Sequence, residues 1–250
     1  NQTYPCNEII VVDDGSTDGT AEWVQKTYPK ISFLFQENRG VSSARNAGIK
    51  ATNSKWIALL DSDDEWLPNK LEKQIKILKS NPKYSFCHTN EVWIRNGVLL
   101  NQMKKHQKYG GEIFFKVLDM CRISPSSTLF HRSILDQVGY FDEDFLICED
   151  YDLWIRISAE FQILFLDEFL IKKYGGHKDQ LSKVSDGIER YRIEVLERLI
   201  NKNFSNDQLS AMRSELIKKL KIFSIGAKKR QKPIEFKNAL KRIDELSIAV

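Results

Sequence analysis

The sequence predicts an α/β fold, a sheet with helices on its faces, followed by a helical appendage at the C-terminal end. Three observations predict it. Two apolar runs of strand length, Glu8–Val12 and Trp56–Leu60, end abruptly in carboxylates. Strand-like runs alternate with segments of helical period up to about residue 184. From about Ser185 only amphipathic helical patterns remain, with Lys and Arg between them. Near-continuous apolar strands belong inside parallel sheets covered on both faces, and such sheets bind ligands just beyond the carboxyl ends of their strands. The expected division is an α/β domain over 1–184 and a basic helical region over 185–250.

Bulk composition agrees with that size of core. With 250 residues, 42% apolar and 29% charged, the chain can bury a substantial interior and does not read as disordered. A net charge of +4 suits an anionic substrate or a membrane surface without demanding nucleic acid. Cys6, Cys87, Cys121 and Cys148 are too widely spaced for a zinc frame and do not read as a disulfide scaffold. A reducing cytoplasm is the expected location. No apolar run approaches the ~18 residues of a spanning helix, and no signal peptide is visible.

Glu8-Ile-Ile-Val-Val12 reads as a buried strand, continued by Asp13-Asp14-Gly15-Ser16-Thr17-Asp18-Gly19-Thr20. Gly15 and Gly19 permit a tight turn, Ser16, Thr17 or Asp18 can cap the next helix, and Trp23 and Val24 are expected on its inner side. Asp14 can accept a hydrogen bond from a base N–H, although Asp13 and Asp14 can equally do no more than cap. Pro29 ends that helix. Ile31–Phe35 is a second strand, leading to a small-residue helix from Gly40 in which Arg45 can face a phosphate or base. Neither Gly-x-Gly-x-x-Gly nor Gly-x-x-x-x-Gly-Lys occurs, so the dinucleotide and P-loop readings lack their fingerprints.

The most informative stretch is Trp56-Ile-Ala-Leu-Leu-Asp61-Ser-Asp63-Asp64. Carboxylates this close repel one another unless a cation sits among them. Their hard oxygens suit Mg²⁺ or Mn²⁺, and Mg²⁺ takes one or two carboxylates together with substrate phosphates. A solvated acidic loop ahead of the helix at Pro68 explains the same residues without a ligand. Leu71, Ile75 and Leu78 form that helix's core stripe. Tyr84–His88 and Glu91–Arg95 read as strands, and Asn96-Gly97 as a hairpin turn into Val98–Leu100. Lys104, Lys105, His106 and Lys108 are expected in a solvated loop. A short helix over 113–118 and a polar loop from Ser124 into a strand ending near Phe130 follow.

Glu149 and Asp150 stand at the start of a helix whose apolar side is Leu153, Trp154, Ile157 and Phe161. The helix dipole stabilises a charged carboxylate there, which suits a general base and a structural cap alike. Gln162–Leu166 is another strand. Tyr174–Ser182 reads as a polar loop hinged at Gly175 and Gly176, where His177 is either a surface residue or a ligand. Amphipathic helices follow over Ile193–Ile200, over Leu209–Phe223 behind a Ser205–Gln208 capping box, and from Pro233. They can dock on the first domain, on a partner or on anionic lipid.

Five pieces in order resemble the family 2 glycosyltransferases with a GT-A type fold. They are Ile10-Val-Val-Asp13-Asp14-Gly-Ser-Thr-Asp18, Asn38-Arg-Gly-Val-Ser-Ser-Ala-Arg45-Asn46, Ile57-Ala-Leu-Leu-Asp61-Ser-Asp63-Asp64, Val138-Gly-Tyr-Phe-Asp-Glu143 and Glu149-Asp150-Tyr-Asp-Leu-Trp-Ile-Arg156. The likeness covers roughly residues 7–182. It implies a Rossmann-like mixed sheet flanked by helices. Asp14, with Asp13 beside it, resembles the carboxylate that reads a uracil-type base, with Arg45 and Asp61 on the nucleotide side. Asp61-Ser-Asp63 resembles the Asp-x-Asp motif, with Asp63 the principal ligand of Mn²⁺ or Mg²⁺ and Asp64 its helper or replacement. His177 occupies the place of a loop histidine that completes the metal or diphosphate site. Asp150 resembles the catalytic base, and Glu149 stands next to it on the acceptor side or in its support.

The resemblance implies a metal-dependent, inverting transfer from a nucleotide sugar, UDP-linked by preference, to an acceptor hydroxyl. The implied acceptors are carbohydrate, lipid-linked or protein, as in surface polysaccharide or glycoconjugate synthesis. Nucleic acid is not among the expected partners, and the basic helices suggest peripheral contact with the inner face of a membrane. One departure stands out. Members of the family open with a strand of the type Val-Ser-Val-Ile-Ile-Pro-x-Tyr-Asn, whereas this chain starts at Asn1-Gln-Thr-Tyr-Pro-Cys6, so that strand and part of the base pocket are expected to be missing. The rival is a nucleotide-sugar-binding module of the same fold with little turnover. A phosphohydrolase lacks its expected residues after the second aspartate, where Asp64-Glu65 stand. A nucleic-acid binder lacks a stacking-aromatic pattern.

Overall fold

The computed structural model describes residues 1–176 and 187–248. Its architecture is mixed α/β, as the sequence predicts. Strand β1 (Ile10–Asp13) pairs in parallel with β2 (Ser32–Phe35) across α1 (Thr20–Thr27). Helix α2 (Val41–Lys50) packs on β1 so closely that a Cβ at Gly48 would come within 3.2 Å of a Val12 methyl, which would have to shift by a few tenths of an ångström. A six-stranded sheet follows in the order β3 (Trp56–Ile57), β7 (Leu129–His131), β5 (Phe86–Arg95), β8 (Leu164–Gly175) and β4 (Glu65–Trp66), with β6 (Val98–Leu100) also on β5. Strands β5 and β8 run parallel and the other ladders antiparallel. Helices α3 (Lys70–Ser80), α4 (Phe114–Val117), α5 (Ser133–Val138) and α6 (Glu149–Glu160) surround the sheet.

Several local expectations change. Trp23 is 58% exposed and only Val24 of α1 is buried, because two β1–β2 strands give the helix too narrow a surface to cover both. The apolar run Trp56–Leu60 yields a ladder only at Trp56–Ile57, and that ladder is antiparallel at a sheet edge rather than inside a parallel sheet. The two strands expected between 84 and 95 are one, with register shifts at Thr89–Glu91 that accommodate the polar interruption. The strand expected to end at Leu166 runs on to Gly175, since pairing with β5 supplies its backbone partners through the charged stretch. Lys108 is not solvated. It is buried against Glu91 at 3.1 Å.

Buried Phe86, Phe130 and Trp154 belong to the same apolar core as Leu196 and Leu199 of α7 (Glu189–Leu199) and Met212 and Leu216 of α8 (Asn206–Lys229). Helix α9 (Pro233–Ile248) adds Ala239 and Leu246. Helix α8 opens with the expected capping box, Gln208 N on Ser205 Oγ at 3.3 Å and Ser205 N on Gln208 Oε1 at 3.0 Å. The expected boundary at residue 184 lies outside the described residues. Among the described residues no helix is long and apolar enough to cross a membrane.

The outer edges of β1 and β3 carry no strand partner among the described residues, and a cleft of about 2870 Å³ opens there. Val12, Ile57, Leu59 and Leu71 line it, as do Asp13, Asp61, Asp63, Asp64, Glu149 and Asp150.

Candidate active site

Asp13 and Asp14 close β1 and do different work. Asp14 Oδ1 accepts from Gln36 Nε2 at 2.6 Å and from Arg39 N at 2.9 Å, and its Oδ2 from Gly40 N at 2.8 Å. Asp14 thus clamps the strand end to the turn that starts α2. The clamp requires Gly15, which sits at φ 85° with the Asn38 backbone nitrogen 2.8 Å from where a Cβ would be. Asp13 Oδ1 accepts from Ser16 N at 2.7 Å, while its Oδ2 is buried with no partner. An unmet buried acceptor costs about 1–3 kcal/mol, so Asp13 rather than Asp14 offers an acceptor to a ligand N–H.

Arg45 projects from α2 into the cleft and joins two distant parts of the chain. Its Nη2 lies 2.7 Å from Asp61 Oδ1 and its Nη1 2.5 Å from Glu149 Oε1. Burial works against its charge, but Asp61 and Glu149 outweigh burial and raise its pKa further. Burial and the adjacent Asp150 lift Glu149 to about 7, against the pull of Arg45. The neighbouring Asn46 donates to Phe141 O and to Glu143 Oε1, both at 2.9 Å, which ties α2 to the segment leading into α6.

Beyond β3 the acidic loop is stapled to Ser126. Asp61 N donates to Ser126 Oγ at 3.0 Å, and that hydroxyl donates to Asp64 Oδ2 at 2.6 Å. Tyr174 N, on β8, donates to Asp64 Oδ1 at 3.2 Å. Burial raises Asp64 to about 6 despite the Ser126 bond. Asp63 is exposed and has no hydrogen-bond or ion-pair partner among the described residues. Of the three acids it alone has both oxygens uncommitted. Among the described residues no three His, Cys, Asp or Glu side chains converge as a cage. That donor set fits a hard cation that takes one or two carboxylates and fills its other positions with diphosphate oxygens and water. His177 lies outside the described residues.

Cys148 takes the left-handed conformation at φ 68° and turns the chain into α6, so Glu149 and Asp150 head that helix. Asp150 Oδ1 accepts from Tyr151 N at 2.7 Å and its Oδ2 takes the Cys121 thiol at 3.2 Å. Burial, then the Asp150 carboxylate, push that thiol well above its usual range, which keeps it a donor. Arg156 pairs with Asp152 at 2.6 Å and donates to the carbonyls of Val138 and Tyr140, which anchors α6. Lys173 of β8 also lines the cleft. Burial opposes its charge, yet Glu91, Asp64, Asp61 and Asp150 prevail and raise its pKa.

The structure therefore gathers Asp13, Asp14, Arg45, Asp61, Asp63, Asp64, Glu149 and Asp150 along one cleft, with both oxygens of Asp14 also engaged in holding a loop. Ser126, Cys121 and Lys173 went unseen in the sequence. The polar run Ser124–Ser127 marked the loop without singling out Ser126, and Lys172-Lys173 lay beyond the strand expected to end at Leu166, with no sign of a cation facing the cleft.

The model of glycosyl transferase family 2 matches residues 1–139. An uncharacterized glycosyltransferase of Rickettsia bellii (strain RML369-C) is 35% identical over 187 residues, covering 74% of this chain and 25% of that protein. The UDP-Glc:alpha-D-GlcNAc-diphosphoundecaprenol beta-1,3-glucosyltransferase WfgD of Escherichia coli is 33% identical over 176 residues, covering 69% of this chain and 67% of that protein. The chain spans only 25% and 55% of the length of the first two curated relatives, both from Rickettsia. Residues 1–349 of S. aureus TarS in complex with UDP share the fold at a TM-score of 0.66 and 19% identity, over 98% of this chain and 76% of that one. The mannosyltransferase PcManGT from Pyrobaculum calidifontis, in complex with GDP-Man and Mn²⁺, does so at 0.61 and 16%, over 100% of this chain and 69% of that one.

Proposed function

The chain belongs to glycosyl transferase family 2, and we propose that it transfers a sugar from a UDP-linked donor to an acceptor hydroxyl, inverting the anomeric carbon. The observation that carries this reading is the Arg45 strut. By holding Asp61 and Glu149 at its two ends, it brings the loop bearing Asp63 and the helix start bearing Asp150 to one cleft.

In this reading Asp13 Oδ2 accepts a base N–H, which relieves its unmet burial. UDP as the nucleotide is supported by the names of two Escherichia coli relatives that use UDP-Glc and by the UDP complex of TarS. Asp63, with Asp61 or Asp64 beside it, holds Mn²⁺ or Mg²⁺, and PcManGT with Mn²⁺ supports a divalent ion. When bound, such an ion supplies positive charge against the departing diphosphate. Asp150 accepts the acceptor's hydroxyl proton as that oxygen attacks the anomeric carbon from the face opposite the diphosphate. The Tyr151 N–H and the Cys121 thiol hold its two oxygens in place. A single displacement of this kind inverts configuration.

A lipid-linked acceptor, and seating on the cytoplasmic face of a membrane, form the finer part of the proposal. On α8, Ile222 and Ile225 are 59% and 58% exposed. The exposed Lys218, Lys221 and Lys229 flank them, the pattern of a helix lying on anionic lipid.

Calorimetric titration of UDP, with Mn²⁺ and then with EDTA, tests the donor site on this chain and on Asp63→Ala. Binding that needs both the ion and Asp63 is expected. UDP binding of equal strength in EDTA would remove the metal from the reading, and no UDP binding under any condition would remove the donor.

A further inference from the structure

We propose that Trp93, His106 and Lys173 form an acceptor subsite for a pyranose ring beside Asp150, an inference that rests on the transferase reading above. Trp93 and Lys173 are direct partners in the β5–β8 ladder, so their side chains leave the sheet on one face, and both line the cleft. The indole is half-buried and pinned, its N–H donating to Glu91 Oε1 at 2.7 Å. The His106 ring packs against it, with centroids 4.7 Å apart and planes tilted by 51°.

The platform rests on an unusual base. Glu91 and Lys108 are 4% and 6% exposed and pair at 3.1 Å, with Lys108 Nζ also donating to Arg122 O at 2.8 Å and Ser124 donating to Glu91. Desolvating two charges offsets most of what their attraction returns, so stability alone does not call for such a pair. It does fix the indole. Lys173, by contrast, has no hydrogen-bond or ion-pair partner among the described residues, although its charge lies among those of Glu91, Asp64, Asp61 and Asp150. An ammonium with three uncommitted donors beside a fixed aromatic face matches a sugar, which presents an apolar C–H face and a ring of hydroxyls. One hydroxyl receives from Lys173 while its neighbour gives its proton to Asp150. A peptide serine or threonine offers no such ring to lay on the indole.

The test uses methyl glycosides of glucose, galactose, mannose and N-acetylglucosamine as probes, with the protein saturated in UDP and Mn²⁺. Saturation-transfer NMR is expected to show at least one glycoside bound through its C–H face. Trp93→Ala weakens it about tenfold, Trp93→Phe restores most of the affinity, and Lys173→Met weakens it by a similar factor. UDP affinity stays within about twofold throughout. The inference is overturned if UDP binds and no glycoside does, or if Trp93→Ala leaves glycoside affinity unchanged. It is overturned equally if Lys173→Met weakens UDP instead, since the ammonium then serves the diphosphate. Absence of UDP binding overturns the transferase reading and this subsite with it.

Discussion

Arg45 Nη2 stands 2.7 Å from Asp61 Oδ1, joining the second turn of α2 to the loop beyond β3. The same guanidinium reaches Glu149, 104 residues further along the chain, at 2.5 Å. The side chains of Arg45 and Glu149 are only 12% and 8% exposed, so water replaces a lost partner poorly there, and less poorly at Asp61 with 26%. Arg45→Met should destabilise the fold by about 3 kcal/mol, the usual cost of stranding buried charge. Arg45→Lys should recover less than half, because an ammonium lacks the fork that reaches both carboxylates. Urea midpoints read both; a loss under ~0.5 kcal/mol for Arg45→Met would show that the strut carries no load.

Asp150→Asn is the variant that separates binding from turnover. Transfer should fall about 10²- to 10⁴-fold, the range for losing a general base. The amide is isosteric and Asp150 sits at the helix head, so UDP affinity should change less than about twofold. Unchanged turnover would assign the proton transfer elsewhere.

Asp63 and Ser126 should behave as opposites. Asp63 is exposed and free, so Asp63→Ala should leave the urea midpoint within ~0.5 kcal/mol of wild type yet abolish metal-dependent UDP binding. Ser126 is fully buried and bonds both Asp61 N and Asp64 Oδ2. Ser126→Ala should therefore cost about 1–3 kcal/mol and weaken metal-dependent binding only through a loosened loop. Equal stability losses in the two variants would contradict this division.

His88 gives a pH signature. Its ring is fully buried, with Nε2 2.8 Å from Tyr109 O and Nδ1 unpartnered. Burial, reinforced by Lys108, lowers its pKa from 6.5 to about 3. Below pH 6.5 the unfolded chain takes up a proton that the folded chain refuses, so this contribution is complete above 6.5 and is lost as pH falls. At pH 5 the loss is about 2 kcal/mol. Glu149 and Asp64, raised to about 7 and 6, act in the opposite sense over the same window. The comparison with His88→Gln isolates the histidine: the stability difference between the two proteins should shift by about 2 kcal/mol in disfavour of wild type between pH 7 and 5. A constant difference would refute the buried neutral ring.

Local patterns in the chain were enough for most of the element order, although β4 escaped them and two expected strands proved to be one. The α2 start at Gly40, the Asn96-Gly97 turn and the Ser205–Gln208 cap depend on neighbours a few residues apart, and each formed where the pattern placed it. The same holds for Glu149 and Asp150 at the head of α6. Strand length did not follow from pattern. Charged residues within 167–173 broke the apolar run of β8, and only the partner strand β5 shows why the ladder continues through them. Trp23 failed for the related reason that the area available to cover a side chain belongs to the sheet beneath it rather than to its own helix.

For the cleft, the sequence by itself determined which acids to look for: Asp13 and Asp14 at the close of β1, Asp61, Asp63 and Asp64 in the loop beyond β3, and Asp150 at the head of α6. Tertiary structure alone decided their states, because an acid's role depends on partners that come from elsewhere in the chain. Asp14 is spent on Gln36, Arg39 and Gly40, Asp61 on Arg45, and Asp64 on Ser126 and Tyr174. Asp63 is left free, and Asp13 keeps one buried oxygen unmet. Lys173 and Trp93 entered the account only after folding, when pairing between β5 and β8 put a free ammonium and an aromatic face on one wall of the cleft, and Lys108, expected in solvent, proved to be buried against Glu91.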